Sequence, residues 1–424
     1  MTEYKKLTKP ELEQELALLK NDYENMKLRC LSLDISRGQS NVKQLELCEK
    51  YFTCVDVNNS IDDGIDCRNY GTPFGLPKLR KIFASLLSMP IDNVILGGNS
   101  SLTMMFDAVM TGMLVGFGDG AWMTKPKVKF ICNVPGYDRH FAVCEYFGIE
   151  MINVEMTESG PNMDEIEQLV ASDDAIKGMW CVPKYSNPCG TVYSNETVRR
   201  IANLQPAAKD FRVFWDNAYS VHYLGESLAN VANIFNECEK AGNADLPIVF
   251  ASTSKIGFPG GGVAALGASD KNLEILKKRI TTQSIGPDKT NQLRHIRFFE
   301  SYNGILKHMA KVSAILTPKF KKVTYLLCER LGGLGVASWK NPNGGYFVSV
   351  DVYPGCAKKI VALCKEAGLQ LTPAGATYPY GLDPNDSNIR IAPTSPTDEN
   401  LQKSVELFCL CVKIAALEKM LQEN

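Results

Sequence analysis

Six short, apolar, β-rich runs alternate with helical stretches along the middle of this chain, and that alternation restricts the fold more than any other feature. The runs are Val94-Ile95-Leu96, Lys129-Phe130-Ile131-Cys132, Met151-Ile152-Asn153-Val154, Gly178-Met179-Trp180-Cys181-Val182, Val213-Phe214-Trp215 and Ile248-Val249-Phe250. Segments with helical spacing lie between several of them: Thr103 to Met113, Arg139 to Phe147 and Met163 to Ala171. Strands this apolar are buried on both faces, as in a mostly parallel sheet. The alternation predicts an α/β, doubly wound, mostly parallel sheet with helices on both sides. Functional groups are then expected at the carboxyl ends of the strands.

The flanks read differently. Thr8-Lys9-Pro10-Glu11 has the form of a capping box with proline in the first turn. Leu12, Leu16 and Leu19 follow at helical spacing, so a first helix is expected to run to about Lys27 and to pack on the body of the protein. From about Asn291 a helical stretch continues toward Leu331, with a kink expected at Pro318. A strand at Gly345 to Val350, a helix near Ala357 to Glu366, a short strand at Ile389 to Ala392 and a final helix from Asp398 to Leu421 make a smaller α+β region. The expected division is 1–50 for the N-terminal helix and a segment packing on the small domain, 51–295 for the large domain and 296–424 for the small α+β domain.

The formal net charge of −1 gives no basic field to attract nucleic acid or an anionic membrane. No apolar stretch approaches the roughly 20 residues needed to span a bilayer, since Gly112, Gly116 and Asp119 interrupt the run near Val109. Met1 to Lys20 is polar and periodic rather than charged and then apolar, so a cytoplasmic location is expected. The 14 cysteines are scattered, without a Cys-x-x-Cys pair and beside only 4 histidines, so no metal site is expected and the thiols read as reduced.

Four segments carry chemistry. Gly97-Gly98-Asn99-Ser100-Ser101 follows a strand and opens a helix, an arrangement that offers free N–H groups to a phosphate but recurs at many strand-to-helix turns. Asn187-Pro188-Cys189-Gly190 is by itself an ordinary turn. Asp216-Asn217-Ala218-Tyr219 puts an acid at a strand's carboxyl end, either as a site residue or as a helix cap. Ser252-Thr253-Ser254-Lys255, followed by Pro259-Gly260-Gly261-Gly262, reads as a surface loop or as an amine held for imine chemistry beside phosphate-binding hydroxyls.

In that order the four segments resemble the class I aminotransferases of pyridoxal phosphate (PLP) fold type I, over nearly the whole chain. Leu33-Asp34-Ile35-Ser36-Arg37-Gly38, Pro135 through Phe141, Ile285 through Lys289 and Asn388 through Pro393 are similar to the aspartate aminotransferase subgroup Ic. The resemblance implies PLP as cofactor. Lys255 matches the lysine that bears it, Asp216 the carboxylate opposite its ring nitrogen, and Tyr219 and Asn187 the partners of its 3-oxygen. Tyr137 matches the aromatic stacked on the ring. Ser100, Ser101, Ser252 and Ser254 fall at phosphate-binding positions. Tyr70 matches a tyrosine that reaches the phosphate across a homodimer interface, and Arg390 the arginine that grips the substrate α-carboxylate.

One departure stands out. Relatives place an arginine past the lysine to clamp the phosphate, whereas Pro259 through Ala264 contains no cation. Lys289 and Arg37 are candidates for that charge, and also, with Arg139 and Arg294, for binding a distal carboxylate; ordinary surface or ion-paired roles are the alternative for each. The implied reaction is amino transfer from an L-amino acid, aspartate by the subgroup resemblance, to a 2-oxo acid such as 2-oxoglutarate. Competing readings are a broad transaminase or β-lyase on the same scaffold. A PLP-sensing DNA-binding regulator fits poorly, because only about 30 residues precede Leu33, fewer than a DNA-binding domain of ordinary size.

Overall fold

The computed structural model describes residues 3–423. Residues 1, 2 and 424, at the ends of the first and last expected segments, lie outside the described residues. Eight strands form the central sheet: β1 (Val94–Leu96), β2 (Lys129–Val134), β3 (Glu150–Thr157), β4 (Gly160–Pro161), β5 (Ile176–Cys181), β6 (Arg212–Asp216), β7 (Pro247–Ser252) and β8 (Ala264–Ala268). Their spatial order is β1-β8-β7-β6-β5-β2-β3-β4. The five strands from β7 to β3 run parallel, while β8 is antiparallel to both β7 and β1. The six apolar runs all became strands of this sheet.

Alternation along each strand feeds two separate cores, as a pleated sheet covered on both faces requires. Val213, Trp215, Val249, Ala251 and Ala265 belong to one, and Phe214, Ile248, Phe250, Ala264 and Leu266 to the other. β8 was missed in sequence. Ala-Ala-Leu-Gly-Ala carries no β-branched residue, and its strand conformation is imposed by ladders on both sides rather than by propensity.

The helices used below are α1 (Lys9–Lys27), α2 (Ser101–Leu114), α3 (Asp138–Tyr146), α4 (Lys289–Phe299), α5 (Tyr302–Leu331) and α6 (Asp398–Glu423). At the start of α1 the Glu11 carboxylate accepts from the Thr8 amide at 2.7 Å and from its hydroxyl at 2.6 Å. α1 packs on the C-terminal part: Lys20 pairs with Glu418 at 2.7 Å, and the Tyr23 hydroxyl donates to the Leu363 carbonyl at 2.8 Å.

The single helical stretch expected from Asn291 to Leu331 is corrected. The helical stretch divides instead at Glu300, which adopts φ of 62°, and Ser301 caps α5 by accepting from the Gly304 amide at 3.1 Å. Pro318 lies inside α5. A second sheet joins β9 (Ala337–Trp339), β10 (Val348–Val352) and β11 (Asn388–Ile391), all antiparallel. The N-terminal segment forms a separate two-stranded sheet, with Leu33–Asp34 parallel to Leu369–Gln370. The Ala392 amide donates to the Ile35 carbonyl at 2.9 Å. Among the described residues no helix is long and apolar enough to cross a membrane, and no group of metal-ligating side chains could hold an ion.

Candidate active site

Parallel pairing puts Asp216, the last residue of β6, beside Phe250 of β7, five residues before Lys255. The acid and the amine therefore emerge from the same end of adjacent strands. Asp216 is 3% exposed. One carboxylate oxygen accepts from the Ala218 amide at 3.1 Å, and the other lies 3.1 Å from His140 Nε2. His140 comes from α3 and stacks on Trp180 with ring centroids 4.3 Å apart and planes 8° from parallel. Tyr137, one turn earlier, meets His140 edge-on at 5.0 Å. A buried carboxylate needs hydrogen-bonding partners of this kind.

The Lys255 amine lies 5.1 Å from the centre of the Tyr219 ring. Burial pushes its pKa down, the Asp216 charge opposes that shift, and the Arg390 charge adds to it. Both sequence-predicted charges thus act on the amine. The Tyr219 phenol is driven well up by burial, with Tyr137 and Asp216 contributing, so it stays protonated.

Ser254 donates to the Asn99 carbonyl at 2.7 Å, tying the turn after β7 to the turn that opens α2. Ser100 caps α2, its hydroxyl accepting from the Leu102 amide at 3.2 Å. Ser101 and Ser252 are buried at the same two turns. A Cβ added to Gly262 would come 2.7 Å from Ser254 Oγ and 2.9 Å from the Asn99 carbonyl. Glycine is what lets the two turns and the glycine-rich loop close into one cradle, lined by the hydroxyls and amides that an anion takes. The cradle, the acid on β6 and the amine after β7 fit the phosphate, ring nitrogen and aldehyde of PLP.

Arg390, on β11 and 8% exposed, faces this place from the second sheet. Its guanidinium donates to Asp138 Oδ1 at 3.0 Å and Asn187 Oδ1 at 3.2 Å and stacks 4.6 Å over the Phe347 ring. Its Nε is buried without a partner. Donors are thus left for an incoming carboxylate. Neighbouring Ile389 and Ile391 point into the core, as strand alternation demands.

Other sequence candidates fall in different places. Arg37 is exposed, yet its neighbours pack around Arg390: the Ser36 carbonyl accepts from Thr372, and Gly38 abuts Phe347. Arg139 is also exposed, next to the Asp138 that Arg390 binds. Lys289 is buried and donates to the Gly71 carbonyl at 3.1 Å, so its amine is engaged beside Tyr70. Tyr70 itself is 83% exposed.

Sequence reading did not single out His140, Asp138, Thr372, Tyr346 or Phe347. Tyr346 donates to the Lys255 main-chain carbonyl at 3.3 Å and accepts from Gln44 at 2.9 Å. His140 offered one signal, being one of 4 histidines and three residues after Tyr137. The others read as core or turn residues.

An amine and an acid presented by adjacent parallel strands, above a helix-capped anion cradle and below an arginine from a second sheet, define an enzyme of PLP fold type I, in class I of the aminotransferases. The comparisons agree. The family model for aspartate amino-transferase matches residues 7–424. A Mycolicibacterium smegmatis protein described provisionally as an aminotransferase is 46% identical over 426 residues, covering 99% of this chain and 100% of that one. An aspartate aminotransferase of Corynebacterium glutamicum is 41% identical over 403 residues, 94% of this chain and 93% of that one. The crystal structure of an aspartate transaminase from the same species superposes with a TM-score of 0.95 at 40% identity, covering 99% of each chain. The chain belongs to the aspartate amino-transferase family.

Proposed function

We propose that this aminotransferase uses PLP, takes its amino group from aspartate and delivers it to 2-oxoglutarate, working as a cytoplasmic homodimer. The observation that carries the reading is the Lys255 amine, lowered by burial, beside Tyr219 and within the field of the Asp216–His140 pair. Lys255 would hold the cofactor aldehyde, Asp216 the ring nitrogen, Tyr219 and Asn187 the 3-oxygen, Tyr137 the ring face, and Ser100, Ser101, Ser252 and Ser254 the phosphate. When bound, PLP supplies an electron sink for the Cα–H bond and a carrier for the amino group.

The chain's own residues do the rest. Arg390 grips the α-carboxylate with its spare donors, and Asn187 and Asp138 fix the guanidinium plane. That grip orients the substrate so that its Cα hydrogen faces Lys255. Lys255, made less basic by burial, would take and return the proton at Cα. Asp216, bonded to His140 and to the Ala218 amide, would be the partner of the ring nitrogen. For aspartate, the support is the name of the 41% identical relative and two exposed arginines, Arg37 in the segment that packs around Arg390 and Arg139 next to Asp138, either of which would meet a second carboxylate. Lys289, beside Gly71, is the alternative cation. For the dimer, the support is Tyr70, which stands out into solvent from a segment held by Lys289. For the cytoplasm, it is that all the cysteines are free thiols.

The test is spectroscopic. Purified protein with PLP should show a visible band that aspartate bleaches and 2-oxoglutarate restores. Release of pyruvate and ammonia without reversible bleaching would mark a lyase and defeat the proposal.

A further inference from the structure

The loop after Lys255 contains three consecutive glycines and no cation, yet it forms one wall of the cradle. Such a loop loses more backbone freedom on ordering than any other. Something must hold it, and the structure supplies a closed set of bonds from α4 and from Tyr51. Asn291 Nδ2 donates to the Gly261 carbonyl at 3.0 Å and to the Gly262 carbonyl at 3.1 Å. The Tyr51 hydroxyl lies 3.0 Å from the Gly261 carbonyl and 2.8 Å from His295 Nδ1, and also bonds Asn291 Oδ1. His295 Nε2 lies 2.6 Å from Thr253 Oγ1, which accepts from the Val263 amide at 2.9 Å. Both ends of the loop are thereby fastened.

We propose that Asn291 and Tyr51 are positioning residues which clamp this loop so that main-chain amides, in place of a cationic side chain, bind the cofactor phosphate. A trans peptide points its N–H opposite its C=O. With the Gly261 carbonyl turned to Asn291 and Tyr51, the Gly262 N–H is aimed the other way. Gly262 packs there against Ser254 and Asn99, at the mouth of α2. Among the described residues this buried amide has no acceptor. A phosphate would supply one, adding to the free N–H groups of the helix N-terminus. Burial lowers His295 to about 4, so the network is uncharged at neutral pH.

The proposal rests on the PLP reading above, and its test separates the two. Full-length protein freed of cofactor is titrated with pyridoxal phosphate and, separately, with pyridoxal, which lacks the phosphate. Asn291→Ala removes both hydrogen bonds to the loop carbonyls, and the Tyr51 bond to Oδ1 with them, and should weaken pyridoxal phosphate about tenfold or more, while pyridoxal affinity stays within about twofold. Tyr51→Phe, which keeps the ring and its packing, should act in the same direction by a smaller factor. Equal weakening of both aldehydes would show a general structural role and overturn the proposal, as would no change in either. If the unmutated protein takes up neither aldehyde, the cofactor reading falls and the clamp with it. If Asn291→Ala does not fold, Tyr51→Phe decides alone. The phosphorus NMR line of the bound phosphate gives a second readout, and it should move in both variants.

Discussion

A single side chain at this site does its work through contacts that come from distant parts of the chain. Asp216 is held by His140, 76 positions away in sequence, and Arg390 is aimed by Asp138 and Asn187. Removing Lys255 as alanine should abolish the visible band and cut turnover by roughly 10²–10⁴-fold, the usual worth of a positioned acid–base group. Arg390→Lys keeps the charge but loses the fork, so kcat/KM for amino acids should fall about 10- to 100-fold, from the roughly 1.5–3 kcal/mol of a charged hydrogen bond. His140→Phe keeps a ring to stack on Trp180 but removes the partner of Asp216. Its expected mark is a lower kcat in protein that still folds and takes up the cofactor, and an unchanged kcat would deny His140 its role. At this scale the sequence was informative about residue types that must react, and silent about residues that only orient them. Lys255, Asp216 and Arg390 could be found by their positions in motifs. Tyr346, which touches the lysine turn only through one bond to a main-chain carbonyl, carries no local signal.

Elements were legible wherever burial is continuous. Strands such as Val213-Phe214-Trp215 are apolar on both faces because both faces are covered, and that pattern survives in one dimension. β8 has no such mark, since its neighbours decide its conformation. The break between α4 and α5 escaped for a related reason: proline attracts attention, but a left-handed Glu300 followed by a capping serine is what ends the helix. Glu300→Gly should therefore be tolerated or stabilising by about 0.5–1 kcal/mol, as measured by chemical denaturation, because glycine adopts positive φ without strain.

For the molecule as a whole, the two sheets meet over the site, with β11 delivering Arg390 and the N-terminal segment bridging toward the second sheet. Two buried histidines in this region set an acid limit. His222 is lowered to about 3 and His295 to about 4 from an ordinary 6.5. A depressed pKa means the unfolded chain takes up protons first. Stability is thus whole above pH ~6.5 and declines as pH falls toward 4. Melting temperature should drop between pH 7 and pH 5, and the slope should flatten in His295→Gln. The antiparallel return of β8 has a kinetic corollary. The ladder closes the base of the lysine turn at Ser252 with Ala264, and Ala251 with Ala265 follows as the next rung. The reactive amine therefore sits on a hairpin between two interior strands of the sheet, not on a free crossover. Deuterium uptake at Thr253 and Val263 should wait for that hairpin to unzip, which would make the reactive turn one of the last parts of the protein to open.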